Sequence, residues 1–255
     1  MKHKCESKYE LTILMPCLNE HETICGCIDD ALNFITEYGI NAEILVADSS
    51  STDGSRELAY ISGARVIGVK KQGYGCAIRA GIRAARGKYI IMGDSDGSYD
   101  FYDLAPYLEK LREGWPLVMG NRFLEFDGSD AKFDCFTLRS DAPLGGIFPN
   151  AMPTLHKLGV PALSAIGRFV YGTHVGDFHC GIRGFDTELA RSFDYTSTGM
   201  EFATEIIGQF AKAGYPICEI PATLVPDGRI EGKKHLRTFR DGMRHVALMA
   251  KDLIK

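Results

Sequence analysis

Four short apolar runs in the first half of this 255-residue chain each end in a polar or glycine-rich loop, and helical patterns separate one run from the next. The strand candidates are residues 11–15, 43–47, 65–67 and 89–92, with a fifth at 117–119; the helical patterns lie near 20–38, 53–61, 75–85 and 102–113. Strands that alternate with helices predict a mainly parallel sheet covered on both faces. Ligands of such sheets bind outside the carboxyl ends of the strands. The loops at 16–20, 48–54, 70–75 and 94–99 are therefore where function is sought.

Bulk properties narrow the partners. A net charge of −4 carries no general nucleic-acid signature, so no nucleic-acid partner is expected. Residues 227–255 nevertheless hold eight lysines and arginines against four acidic residues. A basic tail on an acidic body points to phosphates or a lipid surface. The eight cysteines are scattered without a Cys-x-x-Cys, which favours free thiols of a cytosolic protein over a zinc site. The polar start predicts no secretory signal, and the lack of an apolar run of 18 residues predicts no spanning helix.

The fourth run, Tyr89-Ile90-Ile91-Met92, leads directly into Gly93-Asp94-Ser95-Asp96-Gly97-Ser98. Two carboxylates at a strand end can converge on a divalent cation and a diphosphate, because hard cations bridge carboxylates to substrate phosphates. Asp48, which ends the second run, can accept a hydrogen bond from a base imide or a ribose hydroxyl. No Gly-x-Gly-x-x-Gly follows the first run, which argues against a dinucleotide fold. Asp53 reads as the N-cap of the next helix. Lys70-Lys71-Gln72-Gly73-Tyr74-Gly75 precedes a helix and suits phosphate, or is a plain loop with solvated lysines.

In the second half, residues 125–140 are charged with a weak period and read as a mobile loop. Residues 143–171 are rich in proline, glycine and apolar side chains, including Leu155, Leu158, Ile166 and Phe169. They read as a loop and helix packed on the core, or as a hydrophobic shelf facing a lipid-like acceptor. A helix is expected at 199–213 and a strand at 217–225. At 236–255, Phe239, Met243, Val246, Ala250 and Leu253 form a stripe, with Arg237, Arg240, Arg244 and Lys251 off it. That pattern describes either an amphipathic helix docked on its own domain or a basic helix lying on an anionic membrane.

The ordered set of motifs resembles a family 2 glycosyltransferase of the GT-A fold. The set comprises Leu14-Met15-Pro16-Cys17-Leu18-Asn19-Glu20, Asp48 to Ser55, Gly73-Tyr74-Gly75, the Asp94/Asp96 loop and Gly120-Asn121-Arg122-Phe123. Asp177-Phe178-His179-Cys180-Gly181-Ile182-Arg183-Gly184-Phe185, Gly199-Met200-Glu201-Phe202 and the stretch 220–240 look like the polyprenyl-phosphate sugar synthases, of the dolichyl-phosphate mannose or bactoprenyl glucosyl type. The resemblance implies an α/β fold with a mainly parallel central sheet, helices on both faces and a C-terminal amphipathic helix. It implies a GT-A domain over 1–235, with a nucleotide-binding half at 1–122 and an acceptor half at 123–235, followed by a basic amphipathic helix at 236–255.

The implied reaction moves a hexose, with inversion, from a nucleotide-diphosphate sugar to a polyprenyl phosphate such as dolichyl or undecaprenyl phosphate. The bactoprenyl likeness favours a UDP-sugar over GDP-mannose. Pro16, Leu18, Glu20, Asp48, Asp94, Ser95 and Arg122 would bind the donor. Asp94, Asp96 and Ser98 would hold Mg²⁺ or Mn²⁺. Arg122, Arg229, Lys234 and His235 would take the acceptor phosphate, with Arg183 and Arg237 as further cations. Asp96, Asp177 and Arg183 would be catalytic, with Asp177 orienting Arg183 or assisting proton removal. A peripheral site on the cytoplasmic face of a membrane follows from such an acceptor, and self-association is compatible with it.

Two positions depart from the family pattern: Ser49 stands at the usual second acidic position and Ser50 at the usual glycine. Many relatives continue into membrane-spanning helices. The Gln-x-x-Arg-Trp of processive synthases is missing, since the single Trp115 lies elsewhere. Competing readings are a soluble family 2 transferase acting on a sugar or protein hydroxyl, and a catalytically silent nucleotide-sugar binder. A nucleotidylyltransferase would need a basic glycine-rich loop after the first strand.

Overall fold

In the computed structural model the described residues are 7–124, 145–230 and 238–254. The loop expected at 125–140 and the acceptor candidates Lys234, His235 and Arg237 lie outside them. The first half runs β1 (Tyr9–Cys17), α1 (Ile24–Glu37), β2 (Ala42–Asp48), α2 (Ser55–Ile61), β3 (Arg65–Gly68), α3 (Tyr74–Ala84), β4 (Gly87–Met92), α4 (Ala105–Arg112), β5 (Leu117–Asn121). The second half adds β6 (Gly146–Ile147), α5 (Thr154–Tyr171), β7 (Arg183–Asp186), α6 (Thr187–Ser192), α7 (Phe202–Lys212), β8 (Ile217–Pro221), β9 (Thr223–Leu224) and α8 (Thr238–Leu253).

Seven strands form one sheet in the order β3-β2-β1-β4-β7-β5-β8. Leu14 of β1 lies opposite Leu45 of β2 on one side and Met92 of β4 on the other, all parallel. Successive residues alternate between faces. Leu11, Ile13 and Met15 join the core beneath α1 and α4, while Leu14 joins the core with Ile78 of α3 and Phe202 of α7. Because both faces are covered, these strands read as continuous apolar runs rather than as alternation.

β7 is antiparallel to both β4 and β5 and sits between them. Its first residue, Arg183, therefore stands level with the carboxyl ends of β4 and β5. The strand expected at 217–225 is two strands in different sheets. Ala222 N–H still donates to Asn121 O at 3.0 Å, and the chain then leaves to pair β9 with β6.

Two helices of the second half, α5 and α8, are inverted relative to ordinary surface helices. α5 packs inward through Ser164, Gly167 and Tyr171, all buried, while Leu155, Leu158 and Phe169 are 68, 72 and 81% exposed. α8 docks through Met249, buried in the core, and through polar groups. Arg244 Nη2 pairs with Glu201 Oε1 at 2.7 Å, His245 Nδ1 meets Thr204 Oγ1 at 2.7 Å, and Asp252 takes Lys212 Nζ and Tyr171 O–H, each at 2.9 Å. Its apolar stripe does not form the docked face: Phe239 and Met243 are 84 and 54% exposed, and Ala250 and Leu253 are also exposed. No helix among the described residues is long and apolar enough to cross a membrane.

Candidate active site

The loops after β1, β2 and β4 meet at the carboxyl edge of the sheet, joined by the start of β7 and the segment after β9. Ser95 is the knot. Its hydroxyl donates to Pro16 O at 2.7 Å, and its carbonyl accepts from Thr23 Oγ1 at 2.7 Å. Asp48 is buried and accepts from the N–H groups of Ser50 and Ser51, both at 3.2 Å. Ser50, standing where the family pattern has glycine, adopts φ +67°, which explains why glycine suits that position. The N-cap position of α2 is Gly54 rather than Asp53. Asp53 instead accepts from Ser55 N–H at 3.0 Å and His21 N–H at 3.1 Å, tying the first two loops together.

Asp94 is seated behind Asp96. Tyr74 O–H donates to its Oδ1 at 2.9 Å, and a Cβ on Gly181 would land on its carboxylate. Burial, reinforced by the neighbouring Asp96 charge, raises the Asp94 pKa to about 6. The Asp96 side chain is 20% exposed. Its Oδ1 accepts Ser98 N–H at 3.0 Å and Ser98 Oγ–H at 2.5 Å, and its Oδ2 lies 3.5 Å from Arg229 Nη2. Arg229 also makes a two-pronged contact with Glu20, Nε to Oε2 at 2.8 Å and Nη2 to Oε1 at 2.5 Å.

Beneath this rim lies a sealed floor. Arg122 binds Asp177 through Nε to Oδ2 at 2.6 Å and Nη2 to Oδ1 at 2.9 Å, and Asp177 is fully buried. Burial alone would raise the Asp177 pKa, but the bonds and charge of Arg122 hold it below the ordinary carboxylate range. Asp177 thus engages Arg122 and not Arg183, contrary to the expected partner. Arg122 commits its Nε and Nη2 to Asp177. Arg183 is also buried, donating to Ala203 O at 3.0 Å and to Cys180 O, with its Nε lacking a partner. It supports Asp94 from below by charge.

A divalent cation fits the rim on the chemistry of the donor set. The groups offered are hard oxygens, two crowded carboxylates, and a cationic guanidinium is already drawn to one of them. No set of three His, Cys, Asp or Glu side chains converges among the described residues. A cation here would therefore complete its shell with phosphate oxygens and water, the usual habit of Mg²⁺.

Comparison with known proteins gives the family and the fold. The model for "Glycosyl transferase family 2" matches residues 12–189. The chain belongs to that family. This family 2 chain is 38% identical over 241 residues to the low-salt glycan biosynthesis hexosyltransferase Agl6 of Haloferax volcanii, covering 94% of the chain but 52% of the relative, so it spans about half that protein's length. It is 28% identical to a dolichyl-phosphate hexose transferase of the same organism, covering 96% of this chain and 93% of that protein. Among solved structures, glucosyl-3-phosphoglycerate synthase from Mycobacterium tuberculosis, crystallised with Mn²⁺, UDP and glucosyl-3-phosphoglycerate, superposes with a TM-score of 0.70 at 20% identity, covering 96% of this chain and 80% of that one. That likeness gives the fold, GT-A.

Several residues that shape the site in this family 2 chain were not assigned a role from sequence. Glu219 of β8 accepts from Asn121 Nδ2 at 2.9 Å and from Gly176 N–H at 2.8 Å, placing the Asp177 loop. Thr23 and Tyr74 hold the Asp94/Asp96 loop from either side. Tyr74 was visible as part of the Gly73-Tyr74-Gly75 motif; Glu219 carries no local signal.

Proposed function

We propose that this chain transfers a hexose, with inversion, from a nucleotide-diphosphate sugar to a polyprenyl phosphate at a membrane surface, using a UDP-sugar in preference to GDP-mannose. Family membership and the similarity to a dolichyl-phosphate hexose transferase support hexosyl transfer to a lipid phosphate. In this reading Asp48 and the loop of Pro16, Leu18 and Glu20 receive the nucleoside. Asp94, Asp96 and Ser98 would hold Mg²⁺ or Mn²⁺, whose charge would offset that of a diphosphate. Asp177 acts by fixing Arg122, and Arg183 by charge beneath Asp94. An acceptor phosphate has a second pKa of about 6, so it is already anionic and needs positioning more than a strong base.

The observation that carries the lipid acceptor is the inverted pair α5 and α8. Their outward stripes are Leu155, Leu158, Ala162, Ile166 and Phe169 on one helix, and Phe239, Met243, Ala247 and Ala250 on the other. Lys157, Arg240 and Lys251 are exposed on the same two helices. Apolar side chains with flanking cations suit the interface of an anionic bilayer. α8 is linked to the site, since Arg244 binds Thr198 Oγ1 at 3.1 Å and Thr198 O accepts from Cys76 N–H, at 3.4 Å, beside Tyr74.

The test is nucleotide release with Mg²⁺ or Mn²⁺, using UDP-glucose and GDP-mannose, each with and without a short polyprenyl phosphate. Release that needs both UDP-glucose and the lipid phosphate is expected. Donor binding with no lipid-dependent release would overturn the lipid-phosphate reading in favour of a hydroxyl acceptor or a silent binder.

A further inference from the structure

Arg229 occupies an unusual position for a residue expected to wait for an acceptor phosphate. It comes from the segment after β9, and that segment is strapped across the Asp94/Asp96 loop by backbone contacts. Val225 N–H donates to Ser98 O at 3.1 Å, and Gly228 N–H donates to Asp96 O at 2.9 Å. Ile230 N–H donates to Glu22 Oε2 at 2.7 Å, so both sides of Arg229 are fixed. The strap passes close to α1: a Cβ on Gly228 would stand 3.1 Å from Thr23 Cγ2. The guanidinium, on a side chain 12% exposed, then bridges Glu20 and Asp96.

The two contacts are unequal. The Glu20 pair is two-pronged and short, at 2.5 and 2.8 Å, whereas Asp96 is 3.5 Å away. Planar two-pronged contacts are the strong form of an arginine–carboxylate pair. The weak contact is to Asp96, whose side chain is 20% exposed and whose Oδ2 has the guanidinium only at 3.5 Å. A cation arriving at Asp96 meets a positive charge already in place.

We propose that Arg229 is a built-in counter-cation of the metal site: anchored by Glu20, it competes with the incoming divalent cation for Asp96 and so sets how tightly the metal binds before donor arrives. The inference rests on the reading of Asp94 and Asp96 as metal carboxylates. When the cation loads, Arg229 gives up Asp96 and keeps Glu20, which leaves its charge beside the diphosphate. Metal without nucleotide is thereby disfavoured, and metal together with a diphosphate is favoured, because the phosphates satisfy both cations at once. Arg229 is on this account a positioning residue for metal and diphosphate rather than a free acceptor-phosphate clamp.

The experiment is Mn²⁺ titration of the whole chain, read from the electron paramagnetic resonance signal of the free ion, with no sugar or lipid present and with or without UDP. Arg229→Ala should tighten Mn²⁺ binding without UDP about tenfold, the effect of roughly 1.4 kcal/mol. Glu20→Gln, which leaves Arg229 free to turn fully onto Asp96, should weaken it. UDP should strengthen Mn²⁺ binding more in the wild type than in Arg229→Ala. A purely structural pair would move both variants in the same direction. Should Arg229→Ala fold poorly by circular dichroism, Arg229→Met keeps the aliphatic stem and carries the same expectation. Unchanged or weaker Mn²⁺ binding in the folded arginine variant overturns the inference. Asp96→Asn separates the two levels. If it abolishes binding while the arginine variant gains nothing, only the counter-cation role fails. If no form binds Mn²⁺ even with UDP, the metal reading fails with it.

Discussion

Two arginine–carboxylate pairs lie in this site, one in its floor and one on its rim. Arg122 and Asp177 are sealed, with both Asp177 oxygens also accepting backbone N–H groups, from Arg122 itself at 3.3 Å and from His179 at 3.1 Å. Arg229 and Glu20 have similar two-pronged geometry, but Arg229 extends a third contact to Asp96. The floor pair is committed to itself through Nε and Nη2 of Arg122. The rim pair retains a loose contact that a ligand can replace. Residue type and pairing geometry are thus shared, and the loose contact is what separates scaffold from working part.

That contrast is broken most sharply at the floor. Asp177→Ala would leave Arg122 charged and unpaired inside the protein, which costs about 3–5 kcal/mol. Urea unfolding should show that loss. A change under about 1 kcal/mol would mean that the floor pair behaves like a surface pair. At the rim, Asp96→Ala should leave the unfolding midpoint close to wild type and reduce hexosyl transfer by about 10²–10³-fold, the scale of losing one preorganised stabiliser of developing charge. Substantial transfer by a folded Asp96→Ala protein would move the catalytic charge elsewhere.

The same contrast extends to the helices. Leu158→Glu combined with Phe169→Glu touches only side chains that already face outward, so stability should hold. Each apolar side chain withdrawn from a bilayer interface forfeits up to about 1.5–3 kcal/mol. Sedimentation with anionic vesicles should therefore show binding reduced at least tenfold. Equal vesicle binding by the double variant would overturn the proposed role of α5 at a membrane.

How much of this was legible depended on the range of the interactions. β1, β2 and β4 were readable because burial on both faces makes them unbroken apolar runs, and Asp94 and Asp96 were readable because they follow one of those runs directly. β7 was not. Arg183-Gly184-Phe185-Asp186 has neither length nor alternation, and it is a strand because β4 and β5 leave a slot for it. The partner of Asp177 was sought six residues away at Arg183, whereas it lies at Arg122 in a distant part of the chain. Glu20 and Arg229 are farther apart still. In α8 the amphipathic stripe was legible, but its orientation was not, because Arg244, His245 and Asp252 dock the helix by hydrogen bonds and ion pairs that no periodicity reports.

The smallest effect expected is on the acid side of stability. His179 and His245 stack edge to face at 4.5 Å between centroids, and both ring nitrogens of His179 lack a partner. Burial lowers the His179 pKa to about 3 and the His245 pKa to about 4. The unfolded chain takes up these protons near pH 6.5 while the folded chain does not, so stability falls as pH drops from about 6.5 towards 4. Asp94 and Asp103 act in the opposite sense. Burial raises both to about 6, so the folded chain holds protons that the unfolded chain has lost, and stability rises as pH falls through 6. The terms partly cancel, and the wild-type curve should be shallow. His179→Leu removes one histidine term and leaves no polar group stranded, because that ring has no hydrogen bond to lose. The variant should gain on the wild type as pH falls from 6.5 to 5, by no more than about 1.4 kcal/mol per pH unit. Parallel thermal-unfolding curves for the two proteins across that window would show that the imidazole is not held neutral by the fold.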